Sequence, residues 1–452
     1  MRTLATMAQT ETKRALVVGL GLTGASCVRH LVRRGYDVTG VDTREEPPGF
    51  AQLRREFPQA AFHTGGLDEK WFRDPGLLVV SPGLSVNEGP IAQDIAAGVQ
   101  PIGDIELFAR EARAPVVAIT GANGKSTVTS LVGAMCQAAG KRTGVGGNIG
   151  RPVLELLAAP EPEIHVLELS SFQLETTWSL NAVAATVLNL TPDHMDRYAS
   201  LDDYGAAKAR IFAGDGAMVL NADDAQVVRM ARPGRRQRCF GLGAPSATQH
   251  YGLVREAGAT WLMCGLERLL EAREVPLEGA HNLANVLASM ALAEAAGIPR
   301  AAQLDAVRAF KGLPHRTEFV AEKDGVRWID DSKGTNVGAT VAALEGMIAP
   351  AVLIAGGDGT GQDFSALREP VRRHARAVVL IGRDAPQIEQ ALANVVPVQR
   401  ARDMRAAVQA ARALAQAGDI VLLSPACASF DMFRGYVHRG EVFQASVQEE
   451  LK

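Results

Sequence analysis

Residues 116–127 read VVAITGANGKST: a five-residue run of β-branched and apolar side chains, Val116–Thr120, then Gly121-Ala-Asn123-Gly124-Lys125-Ser126-Thr127, then a stretch of helical composition. A strand running directly into a Gly-rich turn and a helix presents backbone N–H groups to phosphate. Lys125 can neutralise charge on the β- and γ-phosphates, and the hydroxyl of Ser126 or Thr127 can coordinate Mg²⁺. The loop is two residues shorter than the common G-x4-G-K-[ST] pattern, so it is a variant phosphate loop.

Working outward, the same β-then-α alternation recurs. Apolar runs at Ala15–Gly19, Val79–Ser81, Val166–Glu168, Thr186–Asn189, Val352–Gly356, Val378–Ile381 and Ile420–Ser424 are each followed by Ala/Leu-rich helical sequence. This pattern predicts an α/β protein of mostly parallel sheets with helices on both faces. In such sheets ligands sit beyond the carboxyl ends of the strands. At roughly 150 residues per domain, 452 residues make about three domains. A boundary near Gly103–Glu111 and another near Lys311–Pro314 give units of 1–104, 105–312 and 313–452. Leu283 to Phe310 reads as one long helical tract that stops at Gly312 and Pro314.

The net charge of −3 supplies no field that would draw the chain onto nucleic acid or an anionic membrane. The arginine-rich stretch Arg229–Arg238 reads as a solvated loop. Five scattered cysteines, none spaced C-x-x-C, argue against a disulfide framework or structural zinc and suit a reducing cytosol. The first residues, MRTLATMAQTETKR, hold no apolar core suited to a signal peptide, and either Met1 or Met7 can be the start. No run approaches the ~20 apolar residues that span a bilayer. A cytoplasmic location is expected.

A second Gly-rich turn, Gly19-Leu-Gly21-Leu22-Thr23-Gly24, follows the first strand, and Asp42 ends the next strand 18 positions after Gly24. This is the dinucleotide-binding fingerprint, which by itself suggests a dehydrogenase but does not name the ligand. An ATP-type loop beside it makes a simple dehydrogenase a poor fit. Further polar residues fall at strand ends: Glu168 before Leu169-Ser170-Ser171, His194 in Thr191-Pro192-Asp193-His194-Met195-Asp196, and Lys208 in Tyr204-Gly-Ala-Ala-Lys208. One carboxylate, one hydroxyl and phosphates suffice for one Mg²⁺, whereas His beside a cationic Lys makes a poor second site. The C-terminal third adds Leu313-Pro-His315-Arg316, Asp330-Asp331-Ser332-Lys333-Gly-Thr335-Asn336, Gly356-Gly-Asp358-Gly359 and Ser424-Pro-Ala-Cys427-Ala-Ser429-Phe430-Asp431. Arg316 and Lys333 are candidate clamps for nucleotide and developing phosphoryl charge.

Together and in this order, these motifs closely resemble the Mur ligases of peptidoglycan synthesis, from Leu16 to Phe443. The family-level likeness lies in GANGKST, DHMD…AAK, Gly279-Ala-His281-Asn282…Asn285 and LPHR. GLGLTGASC, Val41-Asp-Thr-Arg44, Ser81-Pro-Gly83, DDSKGTN, GGDG…Asp363-Phe364 and SPACASFD point to the branch that adds D-glutamate. The resemblance implies three domains: Rossmann-like, P-loop-type ATPase, and Rossmann-like. It implies an ATP-dependent acid–D-amino-acid ligase that joins D-glutamate to UDP-N-acetylmuramoyl-L-alanine through an acyl phosphate, with two Mg²⁺ ions, and that works as a monomer. Gly21, Leu22, Thr23, Asp42, Thr43, Arg44, Ser81, Gly83 and Asn148 would hold the UDP-substrate. Gly121, Asn123, Gly124, Lys125, Ser126, Thr127, Asn282, Asn285, Arg316 and Asp331 would hold ATP. Ser126, Thr127 and Glu168 would serve one Mg²⁺, and His194 with Lys208, carbamylated by CO₂, the other. Lys333, Thr335, Ser429, Phe430 and Tyr436 would lie near the amino acid. Tyr436 stands where Phe is usual, and Thr360 where a Lys often meets the amino acid's side-chain carboxylate. The alternatives are a folylpolyglutamate synthase or another Mur ligase, against which GLGLTG…DTR and DDSKGTN with SPACAS argue, and a nucleotide-binding regulator without ligase activity.

Overall fold

The computed structural model describes residues 13–72, 75–87, 89–195, 197–347 and 349–452. The segment holding Met1 and Met7, and Asp196 of the DHMD motif, lie outside the described residues.

Three sheets follow one another along the chain. The first contains β1 (Arg14–Val18), β2 (Asp37–Asp42), β3 (Ala61–Thr64) and β4 (Leu78–Val80), all parallel, in the order β3-β2-β1-β4. The second contains β5 (Val116–Thr120), β6 (Thr143–Gly147), β7 (Ile164–Glu168), β8 (Ala184–Val187), β9 (Ala217–Asn221), β10 (Gln237–Phe240), β11 (His250–Glu256), β12 (Ala259–Cys264) and β13 (Glu267–Glu271). Its order is β13-β12-β11-β10-β9-β8-β5-β7-β6. The third contains β14 (Glu318–Lys323), β15 (Val326–Asp330), β16 (Ala351–Gly356), β17 (Ala375–Ile381), β18 (Val398–Arg400) and β19 (Ile420–Leu423), ordered β14-β15-β19-β16-β17-β18.

The central strands are continuous apolar runs because helices cover both of their faces. Every residue of β5, β16 and β19 is buried, and each fully buried Val, Ile or Leu contributes about 1.5–3 kcal/mol of transfer free energy. In each sheet the strand order reverses beside a central strand, and the loops leaving the carboxyl ends at that point open a crevice.

Two departures from the sequence reading have local causes. The tract Leu283–Phe310 is two helices, Ala280–Ala295 and Arg300–Ala309. Gly297 adopts φ +77°, and Pro299 both lacks an N–H and pushes Ile298 out of the helical region. The second sheet also ends in an antiparallel meander, β11–β13, and β14 pairs antiparallel with β15.

Candidate active site

The first turn is built so that backbone, not side chain, faces the ligand. Gly19 holds φ +90°, and a Cβ on Gly24 would lie 1.7 Å from the Gly19 carbonyl oxygen, so only glycine closes this turn. The helix Leu22–Arg33 starts at Gly21 with no side-chain cap, leaving its N-terminal N–H groups for an anion. Leu22 is 80% exposed at the mouth. Asp42 has both oxygens engaged: Oδ2 accepts from the Leu20 N–H at 2.6 Å and from Arg44 Nη2 at 2.7 Å, and Oδ1 from Arg44 N and Nε. Burial pushes this carboxyl up, but those hydrogen bonds together hold it below the ordinary aspartate value. Asp42 thus pins the turn and aims Arg44, while Thr43 is exposed beside it. Ser81 packs against Gly19 and Gly24 from β4, bringing Gly83 to the same edge.

The phosphate loop repeats the logic. The helix Lys125–Ala138 begins at Gly124 without a side-chain cap. Gly124 holds φ +83°, and a Cβ there would strike Asn285 Oδ1 at 2.4 Å. Asn189, at the end of β8, pins the loop by accepting from Asn123 N at 2.8 Å and donating to Asn123 O at 3.1 Å. Lys125 Nζ folds back onto the carbonyls of Gly121 and Ala122 at 2.9 and 2.8 Å. Burial draws its ammonium below the ordinary lysine value, against the opposing pull of Glu168 and Asp193.

On the next strand end, Glu168 is buried; Oε1 accepts from Asn148 Nδ2 at 2.9 Å, and Oε2 has no hydrogen-bond partner. A buried carboxylate oxygen without a partner is costly, and a hard divalent cation is the group that satisfies it. His194 lines the same cleft at φ +57°, a strained conformation for a residue with a side chain. Lys208 does not line the cleft wall. It is 1% exposed beneath the loop, and Nζ donates to the same Gly121 carbonyl at 2.9 Å. Burial, then the neighbouring Lys125, drive its amine well below the ordinary lysine value.

The third sheet closes the cleft. Arg316 Nη2 donates to Ser126 Oγ at 2.7 Å across 190 residues. Arg316 is aimed by a turn in which His315 and Thr317 both hold positive φ. His315 Nδ1 meets Asp330 Oδ2 at 2.8 Å, and the Thr317 N–H donates to Asp331 Oδ1 at 3.2 Å. Asn282, Asn285, Thr127, Arg316 and Asp331 surround one pocket, with Phe240 and Leu242 supplying apolar walls. It adjoins the cleft of Lys125, Ser126, Asn148, Glu168 and His194, which in turn adjoins a cavity of about 750 Å³ lined by Lys333, Thr335, Ser429, Phe430, Arg434 and Tyr436. Lys333 Nζ stands 4.2 Å over the Tyr436 ring, and burial, then Arg316 and Lys125, draw it down to about 8. Sequence reasoning missed Arg434, whose only signal is a basic residue two positions before Tyr436, and Asn189, whose only signal is an amide at a strand end.

Burial pushes Asp331 up from an ordinary 3.8 to about 7. A raised carboxyl favours folding below pH 4, and that contribution is lost as pH rises to about 7. Asp331→Asn cannot titrate. Its melting temperature relative to wild type should therefore be higher at pH 8 than at pH 5; an equal difference at both would contradict the assignment.

An uncapped phosphate-type loop beside an unpartnered buried carboxylate oxygen, in a cleft at the strand ends, suits an enzyme that uses a nucleoside triphosphate. Three family models match in chain order: the Mur ligase MurD-like N-terminal domain over 13–103, the Mur ligase middle domain over 119–293 and the Mur ligase glutamate ligase domain over 315–427. The chain belongs to the Mur ligase family. It is 54% identical to the UDP-N-acetylmuramoylalanine--D-glutamate ligase of Nitrosococcus oceani, covering 97% of each chain, and 52% identical to that of Pseudomonas aeruginosa, covering 96% of this chain and 97% of the other. Among solved structures, a pseudomurein peptide ligase type C from Methanothermus fervidus aligns with TM-score 0.62 at 18% identity over 98% of this chain and all of the other. UDP-N-acetylmuramate-alanine ligase from Thermotoga maritima aligns with TM-score 0.58 at 20% identity over 97% and 99%. No helix among the described residues is long and apolar enough to cross a membrane.

Proposed function

We propose that this protein joins D-glutamate to UDP-N-acetylmuramoyl-L-alanine, hydrolysing ATP to ADP and phosphate, in cytoplasmic peptidoglycan precursor synthesis, and that it works as a monomer. The observation that carries this is 54% identity over 97% of both chains to a relative of that name. Units 1–104, 105–312 and 313–452 take the UDP-substrate, ATP and the amino acid respectively; the adjoining clefts lined by the second and third units suit the last two.

Gly21, Leu22, Thr23, Arg44 and Ser81–Gly83 receive the uridine diphosphate, and Asp42 orders that loop. Asn148 faces the muramoyl end. Asn282, Asn285 and Asp331 hold the adenosine, and the loop Gly121–Thr127 with Arg316 holds the phosphates. Glu168, through its unpartnered Oε2, with the hydroxyl of Ser126 or Thr127 would hold Mg²⁺, which would supply charge neutralisation to the phosphates. The substrate carboxylate attacks the γ-phosphorus and ADP leaves; Lys125 and Arg316 stabilise the charge spread over the equatorial oxygens. The amine of D-glutamate then attacks the acyl carbon, the C–O bond to phosphate breaks, and the amine sheds its proton as the amide forms. Closure of Arg316 onto Ser126 keeps water from the acyl phosphate. We further propose that Lys208 carries a carbamate and serves a second Mg²⁺ with His194. Its neutral amine, favoured by burial beside Lys125, is the form that attacks CO₂, and the product places an anion beside the Lys125 ammonium.

Phosphate release with UDP-N-acetylmuramoyl-L-alanine should require D-glutamate from a panel of D- and L-amino acids. Release with another amino acid, or with none, would sink the assignment.

For the amino acid, Thr360 supplies no cation, and its N–H donates to Asp358. Arg383 is paired with Asp358 at 2.8 Å. Lys333 and Arg434 face the cavity instead. Lys333→Ala should raise the D-glutamate KM by more than about tenfold, the effect of losing one charged hydrogen bond. Thr360→Lys should change it by less than about tenfold. A larger fall in KM for Thr360→Lys would mean the side-chain carboxylate has no cation in this enzyme.

A further inference from the structure

Arg197 lies in the segment that carries His194, yet its guanidinium reaches the first sheet unit. Nη1 donates to the Pro82 carbonyl at 3.2 Å, and Nη2 to the Leu84 carbonyl at 2.8 Å. These carbonyls flank Gly83 on the loop that Ser81 packs against the first glycine turn. Nη2 also donates to Glu175 Oε2 at 2.8 Å. The guanidinium carbon stands 4.3 Å over the Phe172 ring. The side chain is only 13% exposed.

The same neighbours fix the His194 turn. Phe172 packs against the His194 ring at 4.8 Å and stacks on Tyr198. The Tyr198 hydroxyl donates to Glu175 Oε1 at 2.6 Å. The Arg197 N–H closes the turn on the His194 carbonyl at 2.9 Å. A left-handed His194 persists only where its surroundings over-determine it, and Arg197 touches both units. A planar fork that serves two carbonyls, a carboxylate and a ring face is a task for Arg and not for Lys.

We propose that Arg197 is a positioning residue that ties the Ser81–Leu84 loop to the His194 turn, so that filling the UDP-substrate site orders the turn. This rests on the reading of Ser81–Gly83 as part of that site. The test uses full-length protein without metal or ATP. UDP-N-acetylmuramoyl-L-alanine is titrated calorimetrically into wild type and Arg197→Lys, and amide hydrogen exchange is followed in the peptide spanning 191–204. Wild type should gain protection there on binding. Arg197→Lys should bind about tenfold more weakly, the effect of one lost charge-assisted contact, and gain none. A purely structural role would lower the melting temperature without uncoupling binding from protection. If Arg197→Lys does not fold, Glu175→Gln should show the same uncoupling at smaller amplitude, and unchanged protection there overturns the proposal. A wild type that does not bind overturns the reading of the site and the proposal with it. A wild type that binds, beside an Arg197→Lys variant that binds within twofold and gains equal protection, overturns the proposal alone.

Discussion

Lys125→Ala is expected to lower phosphate release by about 10³-fold or more, with the affinity for UDP-N-acetylmuramoyl-L-alanine within about threefold of wild type. Lys125 Nζ rests on the carbonyls of its own loop, where it waits within reach of a phosphate bound at the uncapped start of the helix Lys125–Ala138. In phosphoryl transfer the protein's contribution is positioning and charge stabilisation, so a cation at this place acts mainly on the transition state. The loss should therefore fall on kcat. On the proposed assignment the UDP site is built on the first sheet, where Asp42 and Ser81 brace the glycine turn and Asp42 holds Arg44, away from the loop of Lys125. Calorimetry with the UDP-substrate and a phosphate-release assay read the two quantities separately. A large loss of UDP-substrate affinity would show that the assignment of ligands to sheets is wrong.

The sites that sequence reveals and those it hides differ in how far their contacts reach. Val116–Thr120 and Gly121–Thr127 are legible because strand, turn and helix chemistry are contiguous, and the structure begins and ends β5 at those same residues. Glu168 is legible for a similar reason, as a carboxylate closing an apolar run. The meander β11–β13 is not legible in the sequence. Its residues include Glu, Arg and Leu of helical propensity, and its direction is set by cross-strand pairing and by Gly258 and Gly265, both at positive φ. The break at Gly297–Pro299 was in plain view, but the Ala-rich composition on either side masked it. What no local pattern can carry is the set of contacts between units. Arg316 on Ser126 and Arg197 on Pro82 and Leu84 exist only once three sheets are brought together, and the Gly121 carbonyl shared by Lys125 and Lys208 only once the central unit has folded.

That shared carbonyl gives the second large effect. Lys208→Ala should lower turnover by about a hundredfold or more, as loss of a group that supports a metal does, and short carboxylic acids at high concentration should restore part of it. Two lysine ammonium groups on one buried carbonyl repel each other, and burial already disfavours charge on Lys208. A neutral amine there is nucleophilic; attack on CO₂ would form an N–C bond and release one proton, leaving an anion that Lys125 would stabilise and that would offer an oxygen ligand to Mg²⁺. Removing the side chain leaves space beneath Thr120 and Gly121 that a small carboxylate can enter, whereas a purely structural lysine would give a variant that such acids do not rescue. Lys208→Arg separates the two cases further, because a guanidinium keeps the donor to Gly121 but cannot react with CO₂. It should be as inactive as Lys208→Ala while retaining the wild-type melting temperature within a few degrees. Near wild-type turnover in either variant, or no response of the alanine variant to added carboxylate, would remove the carbamate from the mechanism and leave Lys208 as a support for the phosphate loop.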